Sequence, residues 1–131
     1  MYVPPGFGTV SPYIFAEGAE RLAAFLVDGL GGAETVRTMR PDGRIANLQV
    51  AIGTSTVMVS EAGARFPPSR ASFYLYVADA DASMRRALEA GGELVMEVAD
   101  MPYGDRQGGV ADPCGNIWWI SQRLVHEPYS P

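Results

Sequence analysis

Hydrophobic and polar positions along the chain switch between two periods, and the switches come in the same order twice. The stretch TVSPYIFA, from Thr9, alternates with a period of two, as a half-buried strand does. In GAERLAAFLVDGL the period lengthens. Ala19, Leu22, Ala23, Leu26, Val27 and Leu30 recur at the spacing of an amphipathic helix, and Gly31-Gly32 ends it. Three strands are predicted next, around Glu34–Arg40, Ile45–Ile52 and Ser55–Ser60, with turns at Pro41-Asp42-Gly43 and Gly53-Thr54. GARFPPSR has no period and reads as a connector. SFYLYVAD then restarts the order as a strand. DADASMRRALEA follows as a helix, capped by Asp79 or Asp81 and stopped by Gly91-Gly92. GELVMEVADM, RQGGVADP and NIWWISQR supply the closing strands.

Placing Tyr13 on Tyr74 is a shift of 61 residues and also sets Ile14–Ala16 on Leu75–Val77. Placing Gly53 on Gly115 is a shift of 62 and sets TVMVS on WWISQ. A near-constant shift marks an internal duplication of a βαβββ unit. The predicted class is α+β: tandem βαβββ modules that form a curved, cup-like mixed sheet with the helices outside. The expected divisions are an arm at 1–8, a single domain at 9–123 and a tail at 124–131. Within the domain, module one spans about 9–61, the linker 62–70 and module two 71–123.

Composition narrows the chemistry. A chain of 131 residues is one domain, and 15 acidic against 10 basic residues disfavour nucleic acid and anionic membranes as partners. All the basic residues are arginines, which excludes Schiff-base chemistry and a lysine-based phosphate cradle. The single cysteine, Cys114, rules out an internal disulfide. With no basic–apolar leader and no apolar run of membrane length, a cytoplasmic protein of bacterial type is expected. The block YGDRQGGVADPCGNIWW matches neither GxGxxG nor GxxxxGK[ST] and is not followed by a helix pattern. Its glycines allow close strand approach, and DPCGN reads as a turn.

Three blocks carry a family resemblance: AEGAERLAAFL after the first strand, DGRIANLQVAIGTSTVMVS in the middle and YGDRQGGVADPCGNIWWISQR at the end. Together they resemble the vicinal-oxygen-chelate superfamily, which includes glyoxalase I, extradiol dioxygenases, fosfomycin-resistance enzymes and bleomycin-binding proteins. The PhnB-like, glyoxalase-like branch is the nearest. The resemblance spans Thr9 to Arg123, and GDRxGGVxDPxGNxWW is its most specific part. Enzymes of the superfamily hold a divalent cation with His and Glu from the first and last strands of each module. Carried over one at a time, the first-strand histidines fall on Ser11 and Ser72, and the last-strand glutamates on Val57 and Trp119. None of these suits a divalent cation. Asn47 and Gln49 stand where PhnB-like relatives carry His and Glu. The resemblance thus implies the family scaffold with degenerate metal positions and no cofactor, in a homodimer whose cups are completed by the partner.

If the former ligand positions face inward, alternation also turns Tyr13, Phe15, Tyr74, Tyr76, Ile117, Trp119 and Ser121 inward and Trp118 towards the helix. The expected ligand-binding set is Tyr13, Asn47, Gln49, Tyr74, Tyr76, Arg106 and Trp119. Asp105 and Arg106 are neighbours and point to opposite faces, so one of them faces the cup. Arg106 there would suit an anionic or carbonyl-bearing ligand, and a structural ion pair is the competing reading. Glu61 and Asp105 are the candidate acid–base groups. Asp112 is expected to cap its own turn, Cys114 to be a small buried side chain, and His126 to reach the site only if the tail folds over a neighbouring subunit. The leading functional expectation is metal-independent binding of a small, partly aromatic molecule in the dimer cup, as in drug sequestration. The alternative is an enzyme of the same superfamily, isomerase, lyase or dioxygenase-like, using carboxylates or an unrecognised metal site. A partner protein with a filled cup is a third reading.

Overall fold

A computed structural model describes residues 2–130. Two modules follow one another in the same order. The first comprises β1 (Tyr13–Ala16), α1 (Ala19–Ala24, continued by a π-helical turn over Phe25–Gly29), β2 (Ala33–Met39), β3 (Ile45–Ile52) and β4 (Ser55–Glu61). The second comprises β5 (Ser72–Tyr76), α2 (Ala80–Glu89), β6 (Glu93–Asp100), β7 (Asp105–Ala111) and β8 (Ile117–Arg123). Each module forms a four-stranded sheet, ordered β1-β4-β3-β2 and β5-β8-β7-β6. The outer pair β1–β4, like β5–β8, is parallel and the remaining pairs are antiparallel. Among the described residues no strand pair joins the sheets; Ser69 of the connector bonds Phe15 N and O on the outer edge of β1, and β5 has no strand on its outer edge. The cup-like curvature is therefore carried by two separate open sheets.

Local chemistry explains the element ends. β1 starts at Tyr13, later than the alternation predicts, because Pro12 has no amide to donate; its carbonyl accepts from Met58 N at 2.9 Å. Asp79 caps α2 by accepting from Ala82 N at 3.1 Å. The N-cap of α1 is Gly18, which sits at φ 90° and has no side chain to cap with, and Glu61 on β4 supplies the acceptor instead. Leu30 N reaches back five residues to Phe25 O at 3.2 Å, which widens the last turn of this helix. Both helices then stop in the same way. Gly31 and Gly91 take positive φ, and the following Gly32 and Gly92 press against β3 and β7. A Cβ on Gly32 would lie 2.5 Å from Val50 and 2.9 Å from Leu26 O, and one on Gly92 would lie 2.6 Å from Val110 and 2.9 Å from Ala87 O.

Each helix covers one face of its own sheet, and the helices also touch each other, so one apolar core serves both modules. Phe25, 1% exposed, is at the junction: its ring packs beside Gly29 of its own module and Gly92 of the other. Arg86 of α2 adds a polar tie, donating to Asp28 O at 2.8 Å. Truncating the ring should leave a cavity felt by both modules. Phe25→Ala is expected to lower the unfolding free energy by about 3–5 kcal/mol while keeping a single transition in urea denaturation.

Candidate functional site

The strands decide which side chains leave the core. In module two Trp118 is buried against the helix layer and packs at a tilt on Phe73, with ring centres 4.6 Å apart, so Trp119 turns to the open face. Its register partners there are Tyr74 on β5 and Gly109 on β7. A Cβ on Gly109 would lie 2.7 Å from the Trp119 ring, so only glycine leaves room for the indole at this point of the sheet. Tyr76 and Ser121 share that face.

Asp105 is the hub of this surface. Its side chain is fully buried, and Oδ2 accepts from Tyr74 Oη at 2.8 Å and Tyr129 Oη at 2.7 Å, while Oδ1 accepts from Arg123 at 2.9 Å. Burial alone would raise its pKa. The hydrogen bonds from Tyr129, Arg123 and Tyr74 outweigh that and hold the carboxyl below its usual range. Gln107 forms a second chain beside it, accepting from Tyr103 and donating to Ser121 Oγ at 2.7 Å. Tyr74, Tyr76, Tyr103 and Tyr129 ring an open hollow of about 500 Å³.

Module one presents a comparable face. Tyr13 donates to Ser60 Oγ at 2.7 Å, because the Ser60 hydroxyl is itself committed to Ala46 O at 2.6 Å. Asn47 and Gln49 lie beside them on β3, joined by a 3.2 Å hydrogen bond. Phe15 stacks on Phe66, at 5.3 Å and 14° between planes, over a cleft of about 460 Å³ that Arg40 and Glu61 also line.

Several expectations change. Val57 does not face the open side: it is 3% exposed in the core, and Met58 stands opposite Tyr13 as Trp119 stands opposite Tyr74. Arg106 also points to the helix side. Its guanidinium holds both oxygens of Asp81 and reaches Asp100, so the structural ion pair takes this side chain away from the cup. Glu61 gives both oxygens to the start of α1, at 3.1 Å from Gly18 N and 2.9 Å from Ala19 N. Asp105 does face the open side, but three donors fix it as an anion that has little reason to accept a proton. The residues at the metal positions, Ser11, Met58, Ser72 and Trp119, do not fit a divalent cation. Among the described residues no cluster of three His, Cys, Asp or Glu side chains could hold one. Cys114 lies 3.6 Å from Glu17 O and 3.8 Å from Gly18 O, and burial followed by nearby Asp112 pushes its thiol pKa up, which suits a protonated donor rather than a nucleophile. His126 is exposed on the tail. Tyr103, Gln107, Arg123 and Tyr129 were not foreseen; odd-numbered alternation through Asp105 and Trp119 marks Gln107 and Arg123, but nothing periodic marks the other two.

A family model described as the Glyoxalase/Bleomycin resistance protein/Dioxygenase superfamily matches residues 8–120. An uncharacterized protein of Mycobacterium bovis is 32% identical over 124 residues, covering 86% of this chain and 82% of that one. Among solved structures, TioX from Micromonospora sp. ML1 superposes with a TM-score of 0.76 at 24% identity, over 89% of this chain and 100% of its own. TnmS3 from Streptomyces sp. CB03234, described as an antibiotic binding protein, gives 0.72 at 24% identity, over 94% and 98%. No helix of the described residues is long and apolar enough to cross a membrane.

Two stability measurements check these assignments. Glu61→Ala should cost about 1 kcal/mol, the worth of a helix cap, in chemical denaturation. Asp105 has a lowered folded pKa, so its contribution is complete above the unfolded carboxylate's value of about 3.9 and is lost as pH falls through the lower folded value. Urea midpoints of the wild type should therefore fall steeply below roughly pH 4, and Asp105→Asn should flatten that limb.

Proposed function

The chain belongs to the Glyoxalase/Bleomycin resistance protein/Dioxygenase superfamily, and from that premise we propose that it binds a small, partly aromatic molecule without a metal, in a cup completed by a second copy of itself. The observation that carries this reading is the open face around Trp119. An indole packed against Gly109 stands opposite Tyr74, where a catalytic relative would need a chelating carboxylate. Aromatic side chains with a few fixed polar groups make up the usual lining of a small-molecule pocket. Tyr13, Asn47 and Gln49 give the other module's face a matching mixture of ring and amide. The description of TnmS3 as an antibiotic binding protein points in the same direction.

The second copy is proposed from exposure. Tyr13 is 47%, Tyr74 47% and Tyr76 55% exposed, and among the described residues no strand pairs with the outer edge of β5. A partner chain would cover both the rings and that edge. Of the expected site residues, Tyr13, Asn47, Gln49, Tyr74, Tyr76 and Trp119 remain in this proposal, and Arg106 does not. The enzymatic alternative gains no support, because Glu61 caps a helix and Asp105 is a committed anion.

Sedimentation velocity should find a dimer. Titration calorimetry against a panel of planar aromatic antibiotics should find at least one compound whose affinity drops by about thirtyfold in Trp119→Ala, the loss typical of an aromatic anchor. A monomer that binds none of the panel would remove the basis for the reading.

A further inference from the structure

The tail after β8 does not run free. Arg123 Nη2 donates to Glu127 O at 2.6 Å, turning the chain back over the sheet, and its guanidinium lies 4.1 Å above the centre of the Tyr129 ring. The Tyr129 hydroxyl reaches down to Asp105 Oδ2 at 2.7 Å and shares a 2.6 Å hydrogen bond with Tyr76. Tyr129 is thus a phenol placed under a cation, with its oxygen on a buried carboxylate. Yet the residue is 46% exposed and Tyr76 is 55% exposed, so little apolar surface holds the ring down. Its position is defined by polar contacts that another phenol could make.

The floor of this seat is built and does not depend on the tail. Asp105 is held by Tyr74 and Arg123, both from regular strands. A carboxylate is an acceptor only, so what it takes from above must be a donor. Beside the seat are the hollow of about 500 Å³ ringed by tyrosines and a second pocket of about 490 Å³, bounded by Pro102–Gly104 and by tail residues Glu127, Pro128 and Ser130. Tyr103 borders both spaces, and tail residues wall part of each.

We propose that Tyr129 is an internal occupant of a phenol-binding subsite, and that a ligand bearing a hydroxyl on a planar aromatic ring displaces it. The incoming hydroxyl takes over the bond to Asp105 and the bond to Tyr76, and its ring takes the place under Arg123. This rests on the cup reading above and gives it a chemical class: hydroxylated aromatics, in preference to their ethers. Occupancy and tail release are then one event, since the same atoms serve either phenol.

The probes are 2-naphthol and 2-methoxynaphthalene, titrated into the full chain by calorimetry. The expected results are a preference for the naphthol of about tenfold, the order of one hydrogen bond to a charged group, and a further gain of about tenfold in Tyr129→Ala, where the competitor is gone. Asp105→Asn combined with Tyr129→Ala should abolish the preference; if that variant does not fold, the tail itself gives the readout. Chymotrypsin cleavage after Tyr129, followed by mass spectrometry, should be slow in the free wild type and accelerated by saturating 2-naphthol, not by the ether. Equal affinities for the two probes, or an unchanged affinity in Tyr129→Ala, would overturn the subsite. If antibiotics of the panel bind through Trp119 without regard to a hydroxyl or to Tyr129, the subsite fails and the cup stands. If neither the panel nor the naphthol binds, the cup fails with it.

Discussion

The orientation of the second sheet depends on one buried carboxylate. Asp112 accepts four hydrogen bonds: from Cys114 N at 2.8 Å, Asn116 N at 3.0 Å, Asn116 Nδ2 at 2.9 Å and the Trp118 indole at 2.9 Å. Asn116 in turn accepts from Ala71 N at 3.0 Å, which ties the entry of β5 to the start of β8. The indole bond commits Trp118 to the core, and strand alternation then leaves Trp119 no choice but the open face. A slip of one residue would exchange the two tryptophans and invert every side chain that follows. The DPCGN turn is a device for setting face.

Around that anchor, charge is handled almost entirely by guanidinium groups. Arg37 bridges Glu20 and Glu34, Arg106 bridges Asp81 and Asp100, and Arg123 joins Asp105 to the backbone at Tyr103 and Glu127. Each gathers partners from separate elements, a task that suits a planar fork of five donors better than an ammonium group. These pairs commit Asp81, Asp100 and Asp105 of module two to structural roles. Among the described residues every buried polar side-chain atom has a hydrogen-bond partner, so no orphaned buried group points to missing chemistry.

Much of this was legible in the sequence, for a physical reason. A strand has a period of two, so one correct assignment of face carries the whole strand. That is how Tyr13, Phe15, Tyr74, Tyr76 and Trp119 were set together. The same rigidity punishes a one-residue error. Matching Gly53 to Gly115 ignored that residues 112–116 make a longer turn than 53–54, and so Val57 was put where Met58 stands. Arg106 was decided by Asp81, on a helix whose approach no local pattern records. Phe66 and Tyr129 come from segments without any period, and their contacts with Phe15 and Asp105 exist only in three dimensions.

The glycine pairs at the helix ends divide the molecule into two regimes. On the convex side Gly32 and Gly92 are held by backbone carbonyls and packed valines, so the two copies of the module share this feature and neither can drift from it. On the open side the copies have parted. Gln49 beside Met58 in one corresponds to Gly109 beneath Trp119 in the other, while the tyrosines at 13 and 74 and the serines at 60 and 121 are common to both. Half-exposed lining residues contribute little to folding, so exchanges among them are nearly invisible to stability. A duplicated frame of this kind separates inheritance from innovation: descent conserves the scaffold through its glycines, and new recognition arises by relining the faces.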